Sequence, residues 1–314
     1  GKPVVHLVLT INQHKSEFPI RNMCRVMGVS RSGFYDSLNR PPSERSKCGD
    51  RIRKSVAQVH QETDAIYGAP KIAEELKHRN DLETACRNMV AQAMKELGIR
   101  SKLSRKAFRP TTTQVDPSKR PAANVLDREL TATAPNQKWL TDITYLATST
   151  GWVYLAAVID LFSRKVVGWS VSQSLATDLV QAALRDAVEK RRPDGSQLLH
   201  HSDRGCQYTS QAYQQTLRTF GITCSMSRTG NCYDNAVAER FFWSLKYEWT
   251  NHRVYADFEA ARQSVFNYIE IFYNQSRRHQ TLAWVSPSEF ETDFHNRMTT
   301  AAETTETSTT MTAV

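Results

Sequence analysis

The sequence predicts an α/β protein: a mixed five-stranded sheet with helices on both faces, preceded by an all-α region of helix-turn-helix units. Three observations carry this. Five short runs rich in β-branched and aromatic residues lie between 138 and 227, and helical stretches separate the last three of them. Residues 19–98 hold no such runs, but they carry the caps, stops and apolar spacing of short helices. The basic excess is confined to the same early part: residues 1–120 hold 23 Lys and Arg against 12 Asp and Glu, whereas residues 121–314 hold 18 against 20.

The elements follow in order. In "PIRNMCRVMGVSRSGFYDSL" (19–38), Val26 and Met27 close one helix, Gly28 supplies the turn, and Ser30 caps a second helix through Phe34, Tyr35 and Leu38. A second unit spans 66–98. "YGAPKIAEELKHR" has Pro70 in its first turn and Ile72 and Leu76 on one face; "TACRNMVAQAMKELG" has Thr84 as cap and Gly98 as stop. The stretch 99–134 is polar, rich in Thr, Pro and basic residues, and aperiodic, as a linker would be. "KWLTDITYL" (138–146), "GWVYLAAVID" (151–160) and "KVVGWSVS" (165–172) are three strands joined by short turns. A helix at 176–191, a strand at 197–202, a helix near 210–220, a strand at 223–227 and a helix at 235–249 complete a β-β-β-α-β-α-β-α order. Two more helices are expected, at 257–274 and near 286–292, and the Thr-rich tail 296–314 is expected to be disordered. The resulting division is a helical region 1–110, a linker 111–134, an α/β domain 135–295 and the tail.

Composition excludes several classes. No run approaches the roughly 20 apolar residues of a membrane span, and the N-terminal stretch does not read as a secretory signal. The six cysteines, at 24, 48, 86, 206, 224 and 232, form no C-x-x-C pair and no disulfide framework. The one-sided positive charge points to a polyanion, most simply nucleic acid.

The element order is that of the ribonuclease H-like fold, in which the first and fourth strands are neighbours. Asp142 sits in the middle of the first strand and Asp203 just past the end of the fourth. Glu239 lies on the helix after the fifth strand, with 35 residues between it and Asp203. Phosphodiester cleavage places charge on the attacking and leaving oxygens together. Two divalent ions bound by carboxylates stabilise both. Gly230, Asn231 and Asn235, around Asp234, read as a mobile loop before the glutamate.

These residues lie in motifs that resemble the IS3-family insertion-sequence transposases, in particular the product of their second reading frame. "TDITY" carries the first aspartate, "HSDRGCQYTS" the second, and "SMSRTGNCYDNAVAERFFWSLK" the glutamate. "VIDLFSRKVVGW", "IEIFYNQSRRHQTL" and "PSEFE" match flanking motifs, and the resemblance runs from about residue 17 to 292. Arg240 departs from it, since many relatives carry Ser there. The resemblance implies a DDE transposase of the retroviral-integrase superfamily, with Asp142, Asp203 and Glu239 as catalytic metal ligands for two Mg²⁺ (or Mn²⁺) ions. It also implies terminal-repeat and target DNA as partners and a homo-oligomer on DNA. A protein of the upstream frame, fused or separate, would supply a further helix-turn-helix. The expected location is the bacterial cytoplasm, at the nucleoid when DNA-bound.

Candidate DNA contacts are Arg31 and Arg87 in the helical units, Lys102, Arg105 and Lys106 after them, Lys246, and Arg278 within the basic run Arg277-Arg278-His279. Lys246 follows Glu239 by seven residues, two helical turns on one face. Trp243 is read either as a stacking platform or as core. Asp160 is read as a turn or salt-bridge residue, and His200 and His201 as structural or DNA-proximal. A retroviral-type zinc module is excluded, because His6, His14, Cys24 and Cys48 have the wrong order and spacing for it. A non-catalytic DNA-binding regulator would leave the three carboxylates without a purpose.

Overall fold

The computed structural model describes residues 4–39, 41, 43–80, 85–102, 122–127, 129–227 and 235–311. Three helices open it: α1 (Val4–Gln13), α2 (Ile20–Met27) and α3 (Arg31–Asn39). They share a small core of Val8, Ile11, Met23, Cys24 and Phe34. The predicted turn is present. Gly28 has φ 66°, a conformation that costs a residue without Cβ little, and the Ser30 hydroxyl accepts from the Gly33 amide at 3.0 Å.

The second unit has three helices: α4 (Glu44–Glu62), α5 (Ala69–His78) and α6 (Arg87–Glu96). Ile52, Val56, Tyr67, Ile72, Leu76 and Val90 form its core. Helix α4 was not expected from the sequence, although its Ile52, Val56 and Val59 are buried at helical spacing. The N-cap of α6 is Cys86. The expected cap, Thr84, lies outside the described residues.

The sheet comprises β1 (Lys138–Thr148), β2 (Gly151–Asp160), β3 (Val166–Ser172), β4 (Leu199–Ser202) and β5 (Thr223–Met226), in the order β3-β2-β1-β4-β5. Strands β1, β2 and β3 are antiparallel neighbours, and β4 and β5 add in parallel. Helices α7 (Thr177–Arg191) and α8 (Gln211–Thr219) cover one face, over Trp139, Ala156, Val158 and Val167. Helices α9 (Ala236–Ser244) and α10 (Phe258–Phe266) cover the other, over Leu140, Leu155, Ala157 and Ile159. Strand β2 is therefore buried on both sides, which explains its almost unbroken apolar run. Gly168 lets α7 lie against β3, since a Cβ there would meet the Ala183 carbonyl oxygen and the Ala187 nitrogen at 2.5 Å.

Three expectations need correction. The end of the linker is not free chain: the Ser225 hydroxyl accepts from the Val125 and Leu126 amides, and Leu126 is buried in the sheet core. Helices α9 and α10 do not run on as α-helix but pass into π-helical turns at Leu245–Trp249 and Asn267–Tyr273. Nor is the tail disordered from 296, since α11 spans Pro287–Met311. No Pro or Gly interrupts it, and Thr292, Thr299 and Thr300 return their hydroxyls to carbonyls four residues back.

Candidate active site

Strand alternation decides where the two aspartates point. Along β1, Trp139 and Ile143 face α7 and α8, whereas Leu140 and Leu146 face α9. Asp142 belongs to the second set. In β4, His200 packs on Tyr213 of α8, so Leu199 and His201 take the opposite face, and continued alternation puts Asp203 there too. Leu140 is paired with His201 in the parallel ladder. Asp142 lies two residues further along β1, and Asp203, just past the end of β4, comes near enough for its carboxylate to act on Asp142.

Helix α9 brings Glu239 in its exposed first turn. Asp142 responds to both partners: burial, then the Asp203 carboxylate and, more weakly, Glu239 push its carboxyl up to about 8. The Ile143 amide donates to it at 2.8 Å, and the Asn235 side chain adds a hydrogen bond. Asp203 accepts from the Gly205 amide at 2.9 Å, where a Cβ would lie 3.0 Å from the same carboxylate oxygen. As the side chains stand, no group of three or more His, Cys, Asp or Glu among the described residues is close enough to hold one ion. The three expected ligands share one face without being drawn onto one point.

The donor set nevertheless fits a hard divalent cation. Asp203 and Glu239 both push Asp142 up, so the three carboxylates stand near enough to offer the oxygen donors that a hard divalent ion prefers. Asn235 strengthens the case. It is the N-cap residue of α9, it is buried rather than part of a mobile loop, and its Oδ1 has no partner among the described residues. The expected loop residues Gly230, Asn231 and Asp234 lie outside the described residues. Sequence reading missed Asn235 as a holder of Asp142; the cap position before an acidic first turn is the signal that could have found it.

The other expected residues divide. Lys246 does reach β1, with its ammonium 4.0 Å from the Tyr145 ring centroid, although the π-helical turn replaces the second α-helical turn assumed for it. Trp243 is not core: it is 39 % exposed, stacks on Tyr247 at 4.6 Å and carries Arg240 over its ring. Arg31 and Arg87 are exposed, each at the first position of the third helix of its unit. Lys102 is paired with Asp64 at 2.6 Å. Arg105 and Lys106 lie outside the described residues.

Arg278 is a correction. It is buried, and its Nε donates to Glu75 of α5 at 2.8 Å. Arg277 is likewise buried and forks onto Glu248 at 2.7 Å from both Nε and Nη2. Arg278 closes an ion pair between the α/β domain and the helical unit, Arg277 closes one within the α/β domain, and neither arginine faces solvent. Asp160 is the turn residue expected. Its two oxygens accept from the Asn136, Phe162 and Ser163 amides and from the Trp139 indole. The histidines are structural: His200 meets the Tyr213 hydroxyl at 2.6 Å and His201 the Ser225 hydroxyl at 2.8 Å.

A β3-β2-β1-β4-β5 sheet with helices on both faces is the architecture of the ribonuclease H-like class. Comparison with known proteins narrows this. Residues 132–232 and 220–287 match the family described as integrase core domain, and residues 47–107 the HTH-like domain. A transposase, InsF of insertion sequence IS3A from Escherichia coli K12, is 40% identical over 286 residues, 90% of this chain and 96% of that one. A 31 kDa protein of insertion element IS600 from Shigella sonnei is 38% identical over 273 residues, 87% of this chain and 98% of that one. The HTLV-2 integrase catalytic core domain in complex with magnesium aligns at 17% identity and TM-score 0.40, over 51% of this chain and 99% of that one.

The chain belongs to the IS3-family insertion-sequence transposases. It is a DDE-type transposase that binds DNA. No helix among the described residues is long and apolar enough to cross a membrane.

Proposed function

We propose that this chain cuts DNA at the ends of its insertion element and joins the freed ends to target DNA, with Asp142, Asp203 and Glu239 holding two Mg²⁺ or Mn²⁺ ions. What supports the site is the pairing of β1 with β4 up to Leu140 and His201, which brings Asp142 and Asp203 near one another beside Glu239 of α9. Such ions, when bound, would stabilise charge on the attacking and leaving oxygens. The protein's own share is orientation. Strand β1 carries Asp142 and the turn after β4 carries Asp203, the Ile143 and Gly205 amides aim one oxygen of each, and Asn235 ties Asp142 to the start of α9. Glu239, exposed and on a helix, is the ligand with freedom to close on DNA.

Recognition falls to the helical region, 1–110. Arg31 and Arg87 occupy the helix position from which helix-turn-helix proteins reach base edges and phosphates. Lys102, Arg105 and Lys106 would follow the backbone beyond, and Lys246 would meet a phosphate beside the carboxylates. The complex on DNA is read as a homo-oligomer, with an upstream-frame protein fused or associated, in the bacterial cytoplasm.

The test is incubation of the protein with its element's end DNA and Mg²⁺, scoring nicked and joined products. Wild type should give both and Asp142→Asn neither. Joining by Asp142→Asn at the wild-type rate would overturn the assignment.

A further inference from the structure

A cleft of about 360 Å³ opens on the first helical unit, between α2 and the start of α3. Arg21, Asn22 and Arg25 line it from α2, and Arg31 from the first position of α3. Arg21 and Arg25 stand four residues apart, so they share one face of α2. The less exposed Cys24 and Val29 complete the lining, and the Cys24 carbonyl oxygen accepts from the Val29 amide at 3.0 Å. That bond and the left-handed Gly28 fix the turn, so the three arginines start from a set frame.

Their charge is not compensated from within. Residues 18–35 hold no Asp or Glu. Glu17, just before them, already meets His14 at 3.3 Å. No ion pair ties Arg21, Arg25 or Arg31 to a carboxylate among the described residues, whereas Arg53, Arg79 and Arg191 each close on one. All three are exposed, so their guanidinium groups stay open to an anion from outside. A cleft lined by one sign of charge concentrates counter-charge, and a polyanion relieves the repulsion among the three.

The two helix-turn-helix units also differ in what their last helices offer to bases. The side chains that most often read base edges in the major groove are Arg, Lys, Asn and Gln. Helix α6 exposes Arg87, Asn88 and Gln92 in its first two turns. Helix α3, RSGFYDSLN, has only Arg31 of these types before Asn39 at its last position. With Arg31 on the cleft, the same two turns of α3 offer short serines, Gly33, Tyr35 and the carboxylate of Asp36. The cores differ in the same sense. Val8, Ile11, Met23, Cys24 and Phe34 form a core that shares no residue with that of α4–α6 or of the sheet. A grip by the first unit therefore adds affinity without setting where the carboxylates stand.

We propose that this cleft grips one phosphate of the DNA backbone between Arg21, Arg25 and Arg31, and that the α1–α3 unit holds DNA without reading its sequence. The proposal rests on the transposase reading. Guanidinium forks match phosphate oxygens bidentately. The first helix of a helix-turn-helix pair crosses the backbone, which is where Arg21 and Arg25 stand. Contacts to phosphate fix position and carry no sequence information.

The experiment uses the full chain with an element-end duplex and a scrambled duplex of equal length, read by fluorescence anisotropy over a salt series. Arg21→Gln and Arg25→Gln should each weaken both duplexes by the same factor, roughly fivefold. Each should also flatten the log–log slope by up to roughly 0.9. Arg25→Lys, which keeps the charge, should keep the slope. Thermal melts should match wild type, because both positions are exposed. Arg262→Gln, exposed on α10, should leave both affinities as they are. Single methylphosphonates placed along the end duplex then locate the gripped phosphate. Neutralising it should cost the wild type about what Arg25→Gln costs, and should cost Arg25→Gln nothing further. Losses confined to the element end, a slope that Arg25→Gln leaves unchanged, or a methylphosphonate cost that persists in Arg25→Gln at every position overturns the proposal. The two failures separate on wild type: DNA binding that the arginine variants do not weaken sinks the cleft alone, and binding to neither duplex sinks the transposase reading as well.

Discussion

Replacing Arg278 by Ala tests what the basic run at 277–279 is for. In the structure its guanidinium is 7 % exposed, Glu75 is 11 % exposed, and the two meet at 2.8 Å, with Glu289 at 3.4 Å. Solvent screens such a pair poorly. Removing one partner of a buried pair costs about 3–5 kcal/mol. Glu75 keeps Arg79 at 2.8 Å, so the low end applies, about 3 kcal/mol. That corresponds to a fall in melting temperature of roughly 6–12 °C. Thermal and urea melts of wild type, Arg278→Ala and the double variant Arg278→Met with Glu75→Met provide the measurement. The double variant should recover more than half of the loss, because it leaves no buried charge unpaired. An unchanged melt with weaker DNA binding and a shallower salt dependence would refute the reasoning and return Arg278 to the DNA surface.

Other consequences can be checked directly. Asp142→Asn, Asp203→Asn and Glu239→Gln should each abolish cleavage and joining while gel-shift affinity for end DNA stays within about twofold; a variant that still joins would remove its residue from the site. Lys246→Ala should flatten the log–log salt dependence of duplex binding by roughly 0.9 if the lysine meets one phosphate, and an unchanged slope would remove it from the DNA surface. Gly168→Ala should destabilise by at least 1–3 kcal/mol, because backbone atoms of α7 block the new methyl, and a wild-type melt would contradict that packing. Acid should destabilise the protein in a defined window. His200 and His279 are held down to about 3 and about 2, so the unfolded chain takes up protons that the folded chain refuses. Their contribution is complete above the ordinary histidine pKa of about 6.5 and drains as pH falls toward 3. Below about 4.5 the loss should steepen, because ion pairs hold Glu75 and Glu291 below the usual carboxylate range. Asp142 and Asp160, pushed up by burial, take up protons in the folded state over the same window and oppose this loss, so the histidine share is read as the difference between wild type and His200→Phe; parallel profiles between pH 6.5 and 4.5 would argue against a buried neutral His200.

The sheet was legible because its strands carry a period of two and short turns, and the order of the elements then fixed the neighbours of β1. The aspartates were legible for the same reason: Asp142 shares its face with Leu140 and Leu146, and a parallel β4 sets Asp203 beside it. Helix α4 was not, since its charged and polar residues mask three buried positions. The arginines were misread because sequence shows charge without partner. Glu75 and Glu248 stand 203 and 29 residues from the groups they bind, separations no local pattern reveals. Of the three arginines around the cleft of the first unit only Arg31 was singled out, because Arg21 and Arg25 join it only once the turn at Gly28 has folded α2 against α3.

Trp249 and Phe272 pack against the core of the α4–α6 unit as well as that of the sheet. The Tyr67 hydroxyl adds a hydrogen bond to the Ser276 carbonyl oxygen at 3.0 Å. Two units that share side chains behave as a ruler. On the proposed docking of α6 to the double helix, the carboxylates would stand a set number of base pairs away, and the offset between recognition sequence and cut would be a property of this shared packing. Inserting or deleting base pairs between the two sites should then abolish cutting at the element's border or move the cut by the same number of steps, whatever the length of the intervening chain.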